Sequence, residues 1–339
     1  MSKKHLLRYL KDDEFALWDN FINECESGLV FHGTKHLESL AIALKLKFSI
    51  LGVFDADQQL LAGMAFVHNT RFGISNIYLP PITPFYSPII KPPNKKYLSK
   101  IESYKHALVN SIVEELSKKY KIINLTLPPD EIDIRPYKWM GFETEVLYTY
   151  CTTLNEQTSI ATDYDPDIKR RIKNAQTLKF EISQGTSKEF IDNFFELQLK
   201  SYHRQSFSFA FNSSQFEKYL SGMGLEGKAM IYLVSQNNVP VSGITILYDN
   251  IKAYYLLAGS DPDYLSTGLN QVLFDFVVQD IQKKGIKIYD LVGANTPSIS
   301  RYKSTYNFPL VPYYHVFKIF GLKAKLLMKI KTIYERIRK

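Results

Sequence analysis

A short segment, Ser266-Thr267-Gly268, stands directly before an amphipathic pattern that predicts a helix from about Leu269 to Lys284. Backbone N–H groups at a helix N-terminus bind phosphate, and small residues let the phosphate approach closely. The segment is therefore a candidate contact for a phosphate group of a bound ligand. The alternative is an ordinary Ser/Thr N-cap, which satisfies the same N–H groups without a ligand.

A polar loop, residues 293–298, follows a predicted strand that ends at Leu291 and leads to the pair Tyr302-Lys303. Loops at the carboxyl ends of strands commonly carry the sites of open α/β sheets. Lys303 and Tyr302 are therefore candidate site residues. In the loop itself, the Asn295 amide is a candidate hydrogen-bond donor to a carbonyl oxygen, in the manner of an oxyanion hole.

The stretch 201–207 is dense in side chains that form hydrogen bonds. Arg204 is the preferred candidate in it, and Tyr202 is a candidate contact beside it. Histidine side chains in general titrate near neutrality, so His203 is a candidate base, although a lone histidine is more often simply exposed.

Aromatic residues make up 14% of the chain, with 23 tyrosines. Such rings stack on the bases or sugars of ligands, although core packing is their commoner role. Tyr86 lies in a proline-rich segment and is a candidate because loops seldom belong to the core. Tyr255, in a predicted aromatic strand, is a second candidate.

The elements that must position these residues occur twice. Residues 53–66 and residues 233–246 each have the pattern of a strand, a polar turn and a second strand. The two patterns align without a gap. Both place a small residue and a glycine, Ala62-Gly63 or Ser242-Gly243, at the same point of the second strand. Glycine inside a strand marks a bulge or the close approach of another group.

The order downstream of each hairpin also repeats: an aromatic strand, a long helix, a strand, a turn and a last strand. The two helical patterns run from about 101 to 119 and from about 269 to 284. Amphipathic helices between strands need a sheet to cover, so the class is mixed α/β, with two copies of one mostly antiparallel unit. Turn-rich residues near 154–165 predict domains at 1–156 and 157–317, with a C-terminal helix at 318–339.

This order resembles the acetyltransferase (GNAT) fold, and two copies in one chain resemble the Fem family of aminoacyl transferases and its envelope-polysaccharide relatives. Local motifs carry the resemblance from about residue 10 to residue 318. They are Pro84-Phe85-Tyr86-Ser87-Pro88, Asp133-Ile134-Arg135-Pro136 with Trp139-Met140-Gly141-Phe142, Lys169-Arg170-Arg171-Ile172-Lys173-Asn174-Ala175, and Tyr302-Lys303 with Tyr306-Asn307-Phe308.

The resemblance implies roles for three residues. It implies that Arg170 holds the pyrophosphate of a nucleotide-linked acceptor, whereas the residues alone allow a solvated helix face. It implies that Lys303 stabilises charge near the donor, and that the region of Arg204 shapes the acceptor site. The chain departs from the family in lacking a long helical arm. It also lacks an intact Gln/Arg-x-x-Gly-x-Gly/Ala phosphate loop, so acyl-CoA and aminoacyl-tRNA both stay open as donors, with no tightly bound cofactor.

Most of the net charge of +8 lies in the last 22 residues, which carry a net +7 from eight Lys/Arg and one Glu. Much of this tail has helical spacing of apolar residues. It suits an anionic membrane surface, a tRNA backbone, or plain packing on the domain with a solvated face.

The remaining composition is ordinary for a soluble protein. Cys25 and Cys151 have no spacing that suggests a disulfide framework or a metal site. No apolar run is long enough for a signal peptide or a membrane span. These features predict a cytoplasmic protein, peripheral at the inner membrane face if the tail binds there.

Three hypotheses follow. In the first, the protein moves an acyl or aminoacyl group onto an amine of a nucleotide-linked or lipid-linked envelope precursor, by direct attack without a covalent enzyme intermediate. In the second, it is an acetyl-CoA-dependent N-acetyltransferase of an amino sugar. In the third, it binds an envelope precursor or a membrane surface without turnover.

Overall fold

The computed structural model of the chain describes residues 5–154 and 160–326. These form two compact units. The first contains the residues up to 41, residues 45–146 and the residues from 313 onward, and the second contains residues 42–44 and 147–312. Among the helices of the described ranges, none is long and apolar enough to cross a membrane.

Strands and helices alternate through both units, which confirms the predicted mixed α/β class. The strands are β1 (Leu6–Tyr9), β2 (Lys47–Phe54), β3 (Leu60–Arg71), β4 (Ile74–Ile77), β5 (Ile89–Ile90), β6 (Ile122–Leu127), β7 (Glu143–Thr153), β8 (Glu181–Gly185), β9 (Ala229–Gln236), β10 (Val239–Tyr248), β11 (Lys252–Ser260), β12 (Ile288–Asp290) and β13 (Leu310–Ile319). The helices are α1 (Phe15–Glu24), α2 (Thr34–Leu44), α3 (Leu98–Lys119), α4 (Arg135–Trp139), α5 (Pro166–Ala175), α6 (Lys188–Arg204), α7 (Ser213–Leu225), α8 (Leu269–Lys283) and α9 (Pro297–Ser304).

The sheet of the first unit has the order β1-β2-β3-β4-β6-β13, with β5 pairing to β3. Its neighbours are antiparallel except for β4 and β6, which are parallel. Trp18 from α1, Phe66 from β3 and Leu108 from α3 are fully buried in one core cluster with Val316 from β13. The predicted helical face of α3 therefore covers this sheet.

The sheet of the second unit has the order β7-β12-β11-β10-β9-β8. Here β11 and β12 are the parallel pair, and the other neighbours are antiparallel. Ile244 and Ile246 of β10 belong to a core cluster with the buried face of α8. Gly243, the residue before Ile244 in β10, contacts Phe194 of α6 instead, so α6 and α8 cover opposite faces of this sheet.

The last strands of the two sequence copies change places. The first copy ends with β7, whose partner in the second unit is β12. The second copy ends with β13, whose partner in the first unit is β6. The predicted limits at 1–156 and 157–317 follow the order of the copies along the sequence and do not include this exchange.

The paired glycines of the two hairpins both lie under an aromatic ring of a helix. A Cβ on Gly63 would lie 2.6 Å from Cζ3 of Trp18 and 2.7 Å from the carbonyl oxygen of Leu51. A Cβ on Gly243 would lie 2.8 Å from Cδ2 of Phe194. The prediction that these glycines mark a close approach is confirmed, because any side chain would overlap these atoms.

The C-terminal helix begins later in the chain than predicted. Lys318 and Ile319 still belong to β13, and the Lys318 ammonium donates a hydrogen bond to the Met140 carbonyl oxygen. Helical backbone starts at Leu322, and Ala324 is buried. The predicted start at residue 318 is therefore wrong, because strand pairing with β6 continues to Ile319; the rest of that prediction, residues 327–339, lies outside the described residues.

Candidate functional site

A cavity of about 480 Å³ lies in the second unit, between the C-terminal half of α6 and strand β11. Strands β11 and β12 pair in parallel only over Lys252–Tyr254 and Ile288–Asp290, where β12 ends, whereas β11 continues to Ser260. The cavity therefore lies beyond the carboxyl end of β12, the end of the strands at which open α/β sheets form ligand crevices. The volume falls in the usual range of small-molecule sites, about 300–1,000 Å³.

A β-bulge shapes one wall of this cavity. The pairing of β10 with β11 shifts by one residue at Leu256. Alternate residues of a regular strand face opposite sides of the sheet, but a bulge bends the strand and redirects its side chains. Consequently all four residues from 255 to 258 line the cavity.

Lys303, on α9, closes another side of the cavity. It is 7% exposed, and its ammonium donates hydrogen bonds to the carbonyl oxygens of Leu291, Val292 and Gly293 at 2.5, 2.7 and 2.8 Å. Val292 and Gly293 have φ of 53° and 75°, a left-handed turn that the three bonds hold in place. Burial lowers the pKa of Lys303 to about 8, and the nearby Asp290 carboxylate opposes that shift. All three N–H groups are thus occupied by the loop, so Lys303 fixes the cavity wall and places a positive charge behind it.

Asp290 supports the same loop from the end of β12. Its carboxylate accepts hydrogen bonds from the Thr149 hydroxyl at 2.6 Å and from the Val292 backbone N–H at 2.8 Å. Burial raises its pKa, and the hydrogen bonds and the charge of Lys303 act in the opposite direction. The loop after β12 is therefore tied at both its carbonyl groups and its N–H groups.

Arg204 and Tyr202, in the last turn of α6, line the cavity on the helix side. The Arg204 guanidinium is exposed, and no carboxylate in the described part of the chain lies within ion-pair distance of it. Because guanidinium binds carboxylate and phosphate in a bidentate manner, Arg204 is placed to hold an anionic group of a ligand at the cavity mouth. Burial raises the pKa of Tyr202, so its phenol stays neutral.

Two carboxamides line the cavity with an oxygen that has no hydrogen-bond partner within residues 5–154 and 160–326. They are Oε1 of Gln198, on α6, and Oδ1 of Asn270, on α8. A buried acceptor without a partner costs about 1–3 kcal/mol. A ligand whose N–H or O–H donors reached these two oxygens would satisfy them.

Two tyrosines that also line the cavity, Tyr255 and Tyr302, belong to a connected aromatic group. The Tyr302 and Tyr306 hydroxyl groups are 2.7 Å apart, and the Lys303 ammonium lies 5.7 Å from the Tyr255 ring centre. Burial raises the pKa of Tyr255 and of Tyr302. These phenols serve as neutral hydrogen-bonding groups and ring surfaces rather than as bases.

The Ser266-Thr267-Gly268 segment lies at the N-terminus of α8 but does not itself line the cavity, although Leu265 and Asn270 on either side of it do. The Thr267 hydroxyl donates to the Tyr264 carbonyl oxygen at 2.6 Å and accepts from the Leu269 N–H at 3.3 Å, as a cap does. A Cβ on Gly268 would lie 2.6 Å from the Arg171 carbonyl oxygen, so contact with α5 accounts for this glycine.

Asn295 and Arg170 also lie away from the cavity lining. The Asn295 side-chain oxygen accepts a hydrogen bond from the Tyr148 N–H at 2.8 Å, which ties the loop to β7. The Arg170 guanidinium is exposed and forms an ion pair with Asp167 at 2.9 Å, one helical turn away. In this arrangement Asn295 fixes a loop, and Arg170 lies on a solvated helix face.

Tyr86 is a correction to the sequence analysis. Its side chain is fully buried in the first unit, and its hydroxyl bonds to the Val67 backbone N–H. The proline-rich segment runs extended against β6, with two backbone hydrogen bonds between Tyr86 and Thr126. This pairing draws the ring into the core, so the expectation that a loop residue stays outside the core is wrong here.

Gln198, Asn270 and Ser260 were not predicted from the sequence, and Ser201 was included only as the first residue of the stretch 201–207. A signal was present in α6, because Gln198 and Ser201 follow Ile191 and Phe194 at the spacing of its buried face. Polar residues at core-facing positions of a helix indicate either an internal hydrogen bond or a ligand. Ser201 forms internal bonds with the Ser260 backbone, whereas Gln198 keeps an oxygen that no group of the described chain bonds.

Comparison with a protein family and with solved structures supports the fold. Residues 165–304 match the family described as the acetyltransferase (GNAT) domain. No curated protein sequence matches the chain.

Solved structures resemble the chain over nearly its whole length. The crystal structure of FemX aligns with a TM-score of 0.72 at 12% identity, over 96% of this chain and 99% of that one. L-PGS from Bacillus licheniformis aligns with a TM-score of 0.56 at 10% identity, over 92% and 93%. A tandem GNAT protein from the clavulanic acid biosynthesis pathway aligns with a TM-score of 0.56 at 8% identity, over 94% and 99%. At these identities the likeness establishes the fold, and the predicted resemblance to tandem GNAT proteins of the Fem type is confirmed.

Proposed function

Since the chain has the tandem GNAT fold seen in FemX, with a GNAT acetyltransferase domain at residues 165–304, we propose that it is an acyltransferase. It moves an acyl or aminoacyl group onto an amine of a nucleotide-linked or lipid-linked cell-envelope precursor. The observation that carries the proposal is the cavity beyond the carboxyl end of β12, with two buried carboxamide oxygens in need of donors.

The lining of that cavity supports direct attack. Within the described residues it contains no Cys, His, Asp or Glu, and its serines have no adjacent base. The acceptor amine therefore attacks the donor carbonyl carbon itself. The new C–N bond forms as the bond from that carbon to the donor oxygen or sulfur breaks, and the ammonium proton passes to solvent. Orientation and desolvation supply most of such an acceleration.

The charged groups and the hydrogen-bond acceptors of the cavity have different roles in binding. The oxygens of Gln198 and Asn270 accept hydrogen bonds from the amine or from amide groups next to it. Arg204 holds an anionic group at the mouth, and the charge of Lys303 favours electron density that develops on the carbonyl oxygen. Because the Lys303 ammonium is hydrogen-bonded to the loop carbonyl groups, Lys303 affects the reaction by positioning the loop and by the electric field of its charge.

Two donors fit this chemistry. An aminoacyl-tRNA offers an activated ester. With this donor, the basic tail would contact the tRNA or a membrane surface. Acetyl-CoA is the second candidate, favoured by the position of the α8 N-terminus next to two cavity residues, Leu265 and Asn270. The Thr267 cap and the contact of Gly268 with Arg171 explain that segment without phosphate, and for this reason we place acetyl-CoA second.

The test offers the purified full chain both donors, labelled on the transferable group, with amine-bearing nucleotide sugars and lipid-linked precursors. We expect transfer from one donor, and we expect Arg204→Ala to lower kcat/KM about tenfold or more through loss of a charge-assisted contact. Lys200→Ala is the matched control, because Lys200 lies one turn earlier on α6 and pairs with Asp261 outside the cavity. Absence of transfer and of binding for both donors would instead favour a non-catalytic protein that binds an envelope precursor.

A further inference from the structure

A second cavity, of about 580 Å³, lies in the first unit and belongs to no part of the proposed acyl-transfer site. The residues around it come from the start of β2, the end of β3, the start of β4 and the end of α3. Four of them are cations: Lys45, Lys47, Arg71 and Lys119. No Asp or Glu of the described chain belongs to its lining, so the cavity is a concave, positively charged surface.

No neighbour in the described part of the chain neutralises the four cations. None of them has a carboxylate within ion-pair distance among the residues that the structure describes. The nearest acidic residue along α3, Glu115, is bound to Lys118 at 2.5 Å. Like charges that converge on one cavity repel one another, and an anion that enters it relieves this repulsion.

The end of α3 would oppose an anion, because its free carbonyl groups carry partial negative charge. Lys121 removes much of that effect. Its ammonium donates hydrogen bonds to the Ser117 and Lys118 carbonyl oxygens at 2.9 and 3.1 Å. The helix terminus therefore offsets little of the field of the four cavity cations.

The neighbouring titratable groups respond to a positive field. Burial lowers the pKa of His68, and the charges of Lys119 and Lys47 lower it further. The charge of Arg71 lowers the pKa of Tyr78, against the larger effect of burial. His68 thus stays neutral, with Nε2 3.0 Å from the Ser49 hydroxyl, and remains a hydrogen-bonding group of the cavity wall.

The base and rim of the cavity add neutral donors and ring surface. Tyr120 is fully buried below it, and the Lys119 ammonium lies 5.2 Å from the Tyr120 ring centre. The Thr70 and Ser75 hydroxyl groups are 3.0 Å apart at the β3–β4 turn. Cations for charge and hydroxyl groups for hydrogen bonds are the combination by which proteins hold phosphate.

We infer that this cavity binds a phosphate-bearing small molecule, of the class of nucleoside or sugar phosphates. Four converging cations match the charge of one or two phosphate groups better than that of a single carboxylate. The volume accommodates a nucleotide-sized ligand. A closed base at Tyr120 favours a small ligand over a nucleic-acid strand, which needs a groove that continues along its backbone.

The test is calorimetric titration of the full chain with inorganic pyrophosphate and with ADP, at low and at high salt. We expect both to bind, ADP more tightly, with affinity that falls as salt is raised. Lys47→Ala and Arg71→Ala should each weaken binding about tenfold or more, since each removes a charge-assisted contact. Both side chains are exposed, so the thermal unfolding midpoints should stay close to that of the wild type.

Lys118→Ala is the matched control, because Lys118 lies beside Lys119 in sequence but outside the cavity. Equal weakening by this control, or unchanged affinity in both cavity variants, would overturn the assignment. Binding of RNA that is lost in the cavity variants, without competition by pyrophosphate or ADP, would overturn it in favour of a nucleic-acid contact. Binding only to anionic lipid vesicles would assign the phosphate to a lipid headgroup instead. None of these outcomes depends on acyl transfer by the second unit.

Discussion

At the scale of single residues, the protonation state of Lys303 affects the shape of the candidate site. A charged amine donates three hydrogen bonds to the loop carbonyl groups, whereas a neutral amine has two N–H groups left. Because burial lowers the pKa of Lys303 to about 8, we expect kcat/KM for acyl transfer to fall above that pH. Rate measurements from about pH 6 to pH 10 check this, and Lys303→Met should lose most of the activity together with the alkaline limb.

The same residue has a signature in stability. The pKa of Lys303 is lower in the folded protein than the value of about 10.4 for an unfolded chain, so the folded state binds fewer protons between these two values. The cost of burying the charge is present below about pH 8 and is relieved as the pH rises toward 10.4. The unfolding free energy of the wild type should therefore rise relative to Lys303→Met across this window. A parallel course of the two curves would contradict the assigned burial of the charge.

Asn270 provides a second prediction at this scale, with a matched control in the other unit. Asn270 and Asn110 each hold a buried side-chain oxygen that has no partner among the described residues, but of the two only Asn270 lines the cavity. Asn270→Leu should raise the KM for the acceptor about tenfold or more if the oxygen accepts from it. Asn110→Leu should leave KM unchanged. Neither should lower the unfolding free energy, since each removes an unsatisfied acceptor; equal kinetic loss in both variants would point to a general packing effect.

Whether a site residue is predictable from the sequence depends on how far along the chain its contacts reach. Arg204, Tyr202, Tyr255, Tyr302 and Lys303 do line one cavity, and their roles remain predictions. Their neighbours Gln198 and Asn270 were not predicted, because a carboxamide on a helix reveals its lack of a partner only once the facing strand is placed. Burial of Tyr86 likewise depends on pairing with a distant strand.

At the scale of elements, the repeated hairpins are the feature that local sequence determines best. Alternation, turn residues and the paired glycines are local, and each requires only the adjacent strand and one covering helix. The exchange of β7 and β13 is different in kind. Both are aromatic strands with similar alternation, so either could pair with β6 or β12, and the choice depends on contacts far apart in sequence.

The glycine of the first hairpin gives a prediction at this scale. A Cβ on Gly63 would overlap both the Trp18 ring and the Leu51 carbonyl oxygen, and the backbone atom cannot move aside. We expect Gly63→Ala to lower the unfolding free energy by about 1–3 kcal/mol, measured by urea denaturation. Gly243→Ala should cost less, because its obstacles are side chains. Gly33→Ala is the control, since its Cβ would come no closer than 3.4 Å to any atom, and a loss there as large as at Gly63 would contradict the steric account.

At the scale of the whole molecule, positive charge is concentrated in two regions, which the net charge of +8 alone does not reveal. One is the concave group of four cations in the first unit, which composition alone did not reveal because its members are scattered over residues 45–119. The other is the C-terminal tail, which the sequence shows directly. Lys318 lies in β13, and its ammonium is bonded to the Met140 carbonyl oxygen. The first lysine of the tail that is available to a partner is therefore Lys323.

The tail supplies the last prediction. Residues 327–339 carry five Lys/Arg and one Glu, and each cation near an anionic membrane surface contributes about 1 kcal/mol. We expect the full chain to sediment with vesicles that contain anionic lipid, and a chain that ends at Leu326 to lose most of this binding. Neutral vesicles should not bind either chain, and added salt should release the full chain.

The same pair of chains separates the remaining possibilities for the tail. Retention of vesicle binding after removal of residues 327–339 would exclude the tail as the membrane contact. Loss of tRNA binding, with vesicle binding absent from the start, would assign the tail to the nucleic acid instead. A drop in the unfolding midpoint with no change in either binding would indicate a helix that packs on its domain. Because Lys47→Ala leaves the tail intact, its effect on the same vesicles tells a contribution of the first-unit cavity from that of the tail.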